Sequence, residues 1–128
     1  MKIQKETINV QYNADIKCVV MDVLSYSTPE QIRIGAAKAL ELFLSNDAQA
    51  VCVKQSISEE PNFIKNDWVI DTWFPNLLEN GLKQSALVVS EAFYRSINPS
   101  LRLTKVGTVH YGYFTSEAEA IKWLKTKK

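Results

Sequence analysis

Three short, nearly continuous apolar runs constrain the fold of this 128-residue chain more than any other feature. They lie at residues 16–24, 50–53 and 85–89, and segments with helical periodicity separate them. Strands that are apolar on both sides are typical of the centre of a sheet that is covered on both faces. Strands that alternate with helices imply right-handed crossovers and parallel pairing. We therefore expect an α/β fold with a mostly parallel sheet.

Turn and capping residues mark the ends of the other elements. A weakly alternating strand at 3–12, followed by the turn Asn13-Ala14-Asp15, predicts an N-terminal antiparallel hairpin with the first apolar run. Thr28-Pro29-Glu30-Gln31 and Ser116-Glu117-Ala118-Glu119 both have the spacing of a capping box. They predict the starts of two helices, the first of which ends near residues 45–47.

The second half of the chain predicts a broken helix, a short helix and a strand. Residues 67–80 have helical spacing, but Pro75 removes one helical hydrogen bond and predicts a kink or two short helices. A short helix is expected at 91–97 and an alternating strand at 108–114, whereas residues 100–107 have no clear pattern. The predicted apolar face of the broken helix consists of Val69, Ile70, Trp73, Leu77 and Leu78. The whole chain, residues 1–128, is expected to form a single domain.

Charge and cysteine content exclude several classes of function. Fifteen Lys and Arg residues against fourteen Asp and Glu residues give a net charge of +1. The chain therefore has no overall excess of positive charge that would attract nucleic acid. No apolar run approaches the roughly 20 residues of a membrane span, and the first residues do not resemble a signal peptide. Cys18 and Cys52 lie far apart in apolar stretches and are expected to be buried free thiols. We expect a cytoplasmic protein.

Four lysines near the C-terminus give the one local charge bias. They could form a small anion-binding tail, or they could be the solvated end of a helix, where cations complement the helix dipole. The second interpretation is favoured because the run is short. The lysines are Lys122, Lys125, Lys127 and Lys128.

The sequence offers no catalytic, cofactor-binding or metal-binding pattern. His110 is the only histidine, and no nucleophile or carboxylate is placed beside it by sequence. One histidine and two scattered cysteines do not have metal-ligand spacing. Glu59 and Glu60 are adjacent and therefore point apart. The four glycines are isolated, so no phosphate-binding loop is present. We expect no catalytic residues, no cofactor and no metal.

A candidate ligand or partner site follows from the predicted sheet. In open α/β sheets, ligands bind beyond the carboxyl ends of the parallel strands. Tyr26, Ser56, Ser58 and Trp68 are expected to converge on one rim there. Trp68 lies about 140° from Trp73 around a helix. It therefore lies off the apolar stripe, and it either packs at the helix start or covers a cleft.

Apolar motifs in the second half of the chain resemble a known family. The residues are Asp67-Trp68, Trp73-Phe74-Pro75, Gly81-Leu82-Lys83, and Phe114 with Ala118, Ala120, Trp123 and Leu124. In these motifs and in its order of elements the chain resembles small bacterial STAS-like (SpoIIAA-like) domains, in particular a Bacteroidetes-type subgroup of unestablished function. The resemblance implies a four- or five-stranded sheet flanked by helices.

The wider STAS-like group includes anti-sigma-factor antagonists that bind partner proteins and are switched by serine phosphorylation. It also adjoins lipid-carrying CRAL-TRIO-like domains. The antagonists have an Asp-Ser pair after the second core strand. Here the corresponding stretch, residues 54–61, contains Ser56 and Ser58 without that aspartate, and Glu59 and Glu60 follow. A phosphate beside two glutamates would be repelled, so we do not expect the switch to carry over.

Three functional hypotheses remain at this point. The first is a non-enzymatic binding or regulatory module that contacts an unknown protein partner or a second copy of itself, without nucleic acid and without a membrane span. The second is a small-molecule or lipid-binding domain with an apolar pocket near Tyr26 and Trp68. The third is an enzyme, which requires His110 or a carboxylate beside a nucleophile in a cleft.

Overall fold

The computed structural model describes residues 8–23, 27–55 and 62–126. In these ranges the chain forms six strands, four α-helices, a π-helical turn and a 3-10 turn. The strands are β1 (Ile8–Asn13), β2 (Cys18–Val23), β3 (Ala50–Gln55), β4 (Gln84–Val89), β5 (Leu103–Val106) and β6 (Val109–Phe114). The helices are α1 (Pro29–Ser45), α2 (Phe74–Glu79), α3 (Glu91–Ser96) and α4 (Glu117–Thr126), with the π-helical turn at Val69–Trp73 and the 3-10 turn at Pro99–Leu101.

All six strands form one mixed sheet in the order β1-β2-β3-β4-β6-β5. The strands β2, β3, β4 and β6 are parallel to one another, whereas the edge strands β1 and β5 run antiparallel to them. The α/β class, the mostly parallel sheet and the N-terminal antiparallel hairpin are therefore confirmed.

The expected count of four or five strands is wrong, because β5 is an additional strand. It pairs with β6 through a two-residue turn in which Gly107 has a φ of +63°. Glycine at the first turn position is typical of a tight hairpin. Three of the four side chains of β5 are exposed, so it lacks the apolar alternation that identifies a half-buried strand.

The predicted capping residues begin two helices. The Thr28 hydroxyl accepts a hydrogen bond from the Gln31 backbone N–H at 3.2 Å, and the Gln31 side chain accepts one from the Thr28 N–H at 2.9 Å. At α4, the Ser116 hydroxyl accepts from the Glu119 N–H at 3.2 Å. These bonds satisfy N–H groups that have no partner within a helix.

The expected break at Pro75 is also present. The π-helical turn leads directly into α2, and the Phe74 N–H donates to the Val69 carbonyl, five residues back. Val69, Trp73 and Leu77 are buried at intervals of four residues. Ile70 and Leu78 were expected on the same apolar face, but they are 51% and 43% exposed. Each follows a buried residue of the four-residue series and is therefore rotated away from the core.

The two faces of the sheet carry different helices. The π-helical turn and α1 cover one face, which we call the α1 face, and its core includes Val19, Met21, Val51 and Val53. The helix α4 covers the opposite face, the α4 face. No helix in the described ranges is both long and apolar enough to cross a membrane.

Candidate functional site

A cavity of about 260 Å³ lies on the α1 face of the sheet. Its floor consists of two rows of side chains that cross β3, β4 and β6. Residues that pair across neighbouring strands occupy each row, because side chains directly opposite each other project to the same face. The rows are Val51, Ser85 and Tyr111, and then Val53, Leu87 and Tyr113.

The roof of the cavity comes from residues 63–74, which connect β3 to α2. Aromatic rings form a continuous line from this roof to the floor. The Phe63 ring meets Trp73 edge-on at 5.2 Å between centroids, and Trp73 lies 6.5 Å from Phe74, which lies 6.0 Å from Tyr111. Contacting rings at these separations stabilise one another. These four rings, which we call the aromatic wall, are therefore in place without a ligand.

Ser85 explains why there is space between roof and floor. It is only partly buried, although β4 lies inside the sheet with a strand on each side. Its neighbours in the row, Val51 and Tyr111, have larger side chains. A serine among them leaves a gap under the roof, and Ile70, which is 51% exposed and lines the cavity, lies where the gap reaches solvent.

Four polar groups belong to side chains that line the cavity. The hydroxyls of Ser85, Tyr111 and Tyr113 make no hydrogen bond to another described residue. The Trp73 indole Nε1 is buried and also lacks a partner within those ranges. Burial raises the pKa of Tyr111 above its ordinary value, which itself lies well above pH 7. Its neutral phenol both donates and accepts hydrogen bonds. No residue that lines the cavity carries a charge.

Amide side chains attach the roof to the rest of the fold. The Gln55 amide at the end of β3 donates to the Asn62 side chain and accepts from the Phe63 backbone N–H at 3.0 Å. Asn62 in turn donates to the Ser27 carbonyl at 2.9 Å. The Asn66 side chain donates to the Pro29 carbonyl at the start of α1 at 3.3 Å. These bonds hold residues 62–66 over the strands and so preserve the cavity.

The predicted rim lies mostly outside the described residues. Tyr26, Ser56 and Ser58 fall there, so their convergence stays a prediction. Trp68 is partly buried, and the Arg33 guanidinium of α1 lies 5.5 Å from its ring centroid. Trp68 borders a shallow depression beside the start of α1 and does not line the cavity, which lies under the middle of the strands.

His110 lies away from the cavity. It stands between Val109 and Tyr111 on β6, and those two project toward the α1 face, so His110 projects to the α4 face. Within the described ranges, no group of three or more His, Cys, Asp or Glu side chains could hold a metal ion.

A charged cluster stands on the α4 face. The Lys54 ammonium lies 3.3 Å from the Asp22 carboxylate and 2.6 Å from that of Glu117. Burial disfavours the charged lysine, but its hydrogen bonds to Glu117 and Asp22 outweigh burial, and the pKa of Lys54 is raised. The cluster joins β2, β3 and α4 and carries one cation against two carboxylates.

The residues of the cavity were missed in the sequence because their pattern is that of a core. Tyr111 and Tyr113 alternate on a strand, and Ser85 begins an apolar run. The available signal was Ser85 itself, a small polar residue at the start of a run whose pattern indicates burial on both faces.

Comparison with known proteins places the chain in no established group. No family model, no curated protein and no solved structure matches it.

Proposed function

We propose that this protein binds a small, mostly apolar molecule in the cavity between the sheet and residues 63–74. The observation that carries the proposal is the half-buried Ser85 in the middle of the sheet, facing a cavity of about 260 Å³. An interior that is packed to ordinary density leaves few voids larger than a water molecule. A cavity of this size with a mostly apolar lining is the kind of site in which proteins bind small molecules.

The dimensions limit that occupant. An engineered apolar cavity of roughly 150 Å³ holds benzene, and pockets for drug-sized ligands begin at roughly 300 Å³. The present cavity lies between these values. It fits one ligand of about ten to thirteen non-hydrogen atoms, which is smaller than a lipid with a long acyl chain.

Naphthalene is a suitable probe for the test. Titration into the ¹⁵N-labelled protein should shift the backbone resonances of residues that line the cavity, such as Leu87 and Tyr111. The Ser85→Leu variant fills the gap and should lose these shifts. The Ser45→Leu variant makes the same change at the exposed end of α1 and should keep them.

Circular dichroism checks that both variants fold. The proposal is wrong if naphthalene shifts no cavity resonance in the natural protein. It is also wrong if a folded Ser85→Leu protein binds naphthalene as well as the Ser45→Leu protein does.

A specific observation favours a second candidate function, association through the edge of the sheet. Leu101, Leu103 and Val106 lie on or beside β5 and are 55%, 58% and 65% exposed. Within the described ranges, the outer edge of β5 has no neighbouring strand. An unpaired edge is a template for another strand. We therefore infer a second copy of the chain, paired antiparallel along β5, as the partner.

Analytical ultracentrifugation over a wide concentration range tests this association. We expect a reversible dimer in the natural protein and a monomer for Val106→Lys, because a charge on an edge strand opposes pairing. A Leu44→Lys control changes an exposed leucine on α1 and should still dimerise. A natural protein that stays monomeric at every concentration contradicts this candidate.

We further propose that the fold is STAS-like. The consecutive order β1-β2-β3-β4, the antiparallel N-terminal hairpin and the flanking helices support this proposal. The same resemblance supports contact with a partner protein, since the wider group includes proteins that act in that way.

A further inference from the structure

We propose that the ligand of the cavity is a neutral, planar aromatic compound with one hydroxyl or carbonyl group, and that the hydroxyls of Ser85 and Tyr111 bind that group. This inference rests on the proposed function, since it names the chemical class of ligand for the same cavity.

Neutrality follows from the lining. None of the side chains around the cavity is charged, because a tyrosine phenol is neutral near pH 7. A carboxylate or an ammonium group would enter this space without an opposite charge, and an unpaired buried charge is strongly unfavourable. The cavity therefore selects against ionised molecules.

The planar aromatic shape follows from the wall. The rings of Phe63, Trp73, Phe74 and Tyr111 are in successive contact from the roof to the floor. Aromatic ligands gain from offset or edge-on contacts with such rings, in addition to the burial of their area. A flexible alkyl chain would lose more conformational freedom on binding and would gain no ring contacts.

The polar group follows from two hydroxyls in the lining. Ser85 and Tyr111 pair across β4 and β6, and both side chains line the cavity. Neither hydroxyl is hydrogen-bonded to another described residue, so each has donor and acceptor capacity to offer. Each can therefore donate to, or accept from, an oxygen on a ligand.

Three related probes test the inference by isothermal titration calorimetry. Naphthalene has the shape alone, 2-naphthol adds a neutral hydroxyl, and 2-naphthoate adds a charge. We expect 2-naphthol to bind about tenfold more tightly than naphthalene, which corresponds to one or two hydrogen bonds of ordinary net strength. We expect 2-naphthoate to bind at least tenfold more weakly than 2-naphthol.

Variants assign the effect to the two hydroxyls. Ser85→Ala and Tyr111→Phe should each lower the affinity for 2-naphthol about fivefold relative to the affinity of the same variant for naphthalene. Tyr12→Phe removes a tyrosine hydroxyl from β1, outside the cavity lining, and should change neither affinity.

The outcomes separate this inference from the proposed function. If naphthalene binds but 2-naphthol binds no more tightly, or if 2-naphthoate binds equally well, the ligand class is wrong and the cavity remains a binding site. If the two variants do not alter 2-naphthol binding, the assignment to Ser85 and Tyr111 is wrong. If naphthalene itself does not bind, the proposed function is overturned.

Discussion

At the scale of single residues, the two cysteines behave as small apolar side chains. Cys18 and Cys52 lie on neighbouring strands on the α4 face, both fully buried and both free. Burial raises the pKa of Cys18 strongly, and burial followed by the nearby Glu117 carboxylate raises that of Cys52 to about 12. Both thiols are therefore protonated and unreactive near pH 7.

These thiols make the stability fall in alkaline solution. Below the ordinary thiol pKa of 9.0, the folded and unfolded states bind the same protons. Above that pH the unfolded state loses protons that the folded state keeps. Each thiol should then lower the free energy of unfolding by about 1.4 kcal/mol per pH unit.

Urea unfolding between pH 8 and pH 10.5 measures this effect, with the Cys18→Ala/Cys52→Ala protein as the comparison. The double variant should be less stable at pH 8, because it leaves small cavities, and should show a flatter decline above pH 9. Parallel declines in the two proteins would rule out the thiols as its source.

At the scale of elements, contact between α1 and β1 depends on a glycine. A Cβ atom on Gly35 would lie 2.9 Å from Ile8 Cδ1 and 3.1 Å from Ile8 Cβ. Ile8 is buried, so its side chain has little room to move. The helix therefore approaches the N-terminal hairpin more closely than an alanine would allow.

Gly35→Ala should consequently destabilise the natural protein by about 1 kcal/mol, because overpacking outweighs the gain in helix propensity. The Ile8→Ala background removes the Cδ1 and Cγ2 atoms but keeps the Cβ atom, so the same change should cost clearly less there. A double-mutant cycle by chemical denaturation gives both values. An equal cost in the two backgrounds would contradict the close contact.

The attachment of the cavity roof gives a second prediction at this scale. Gln55→Met keeps the volume but removes the partner of the Phe63 N–H and of the Asn62 side chain. An unpaired buried polar group costs about 1–3 kcal/mol. We expect a loss of that size by urea unfolding, together with faster hydrogen exchange at Phe63. An unchanged exchange rate at Phe63 would show that Gln55 does not hold the roof.

The elements differ in how far the sequence predicts them. The starts of α1 and α4 could be predicted because Thr28 and Ser116 make local capping bonds, and the break near Pro75 could be predicted because proline lacks an N–H. Strand β5 could not, since its pairing depends on β6 and not on its own pattern. The cavity could not either, because a gap beside Ser85 exists only once three strands and the roof are assembled.

At the scale of the whole molecule, the sheet is best protected at its centre. Strands β2, β3 and β4 have a strand on each side and lie between the two cores. The strand β5 has one neighbour and exposed side chains. Buried, doubly paired strands open only when the whole protein unfolds, whereas edges open locally.

Hydrogen exchange should show this order. Amides of β3 should exchange with the free energy of global unfolding, and those of β5 should exchange much faster in dilute solution. The exchange rates of the β5 amides should slow with rising protein concentration only if the chain dimerises through β5. Equal protection of β3 and β5 in dilute solution would contradict this order of stability.

Trp73 gives the molecule a built-in optical reporter. It is 2% exposed and lines the cavity, whereas Trp68 and Trp123 are only partly buried. Emission from an indole in apolar surroundings lies toward the blue, so the Trp73 component can be separated from the other two. An occupant of the cavity would touch that ring and change its intensity. Natural extracts could therefore be screened by the intrinsic fluorescence of the protein, without a label and before the chemical identity of the ligand is determined.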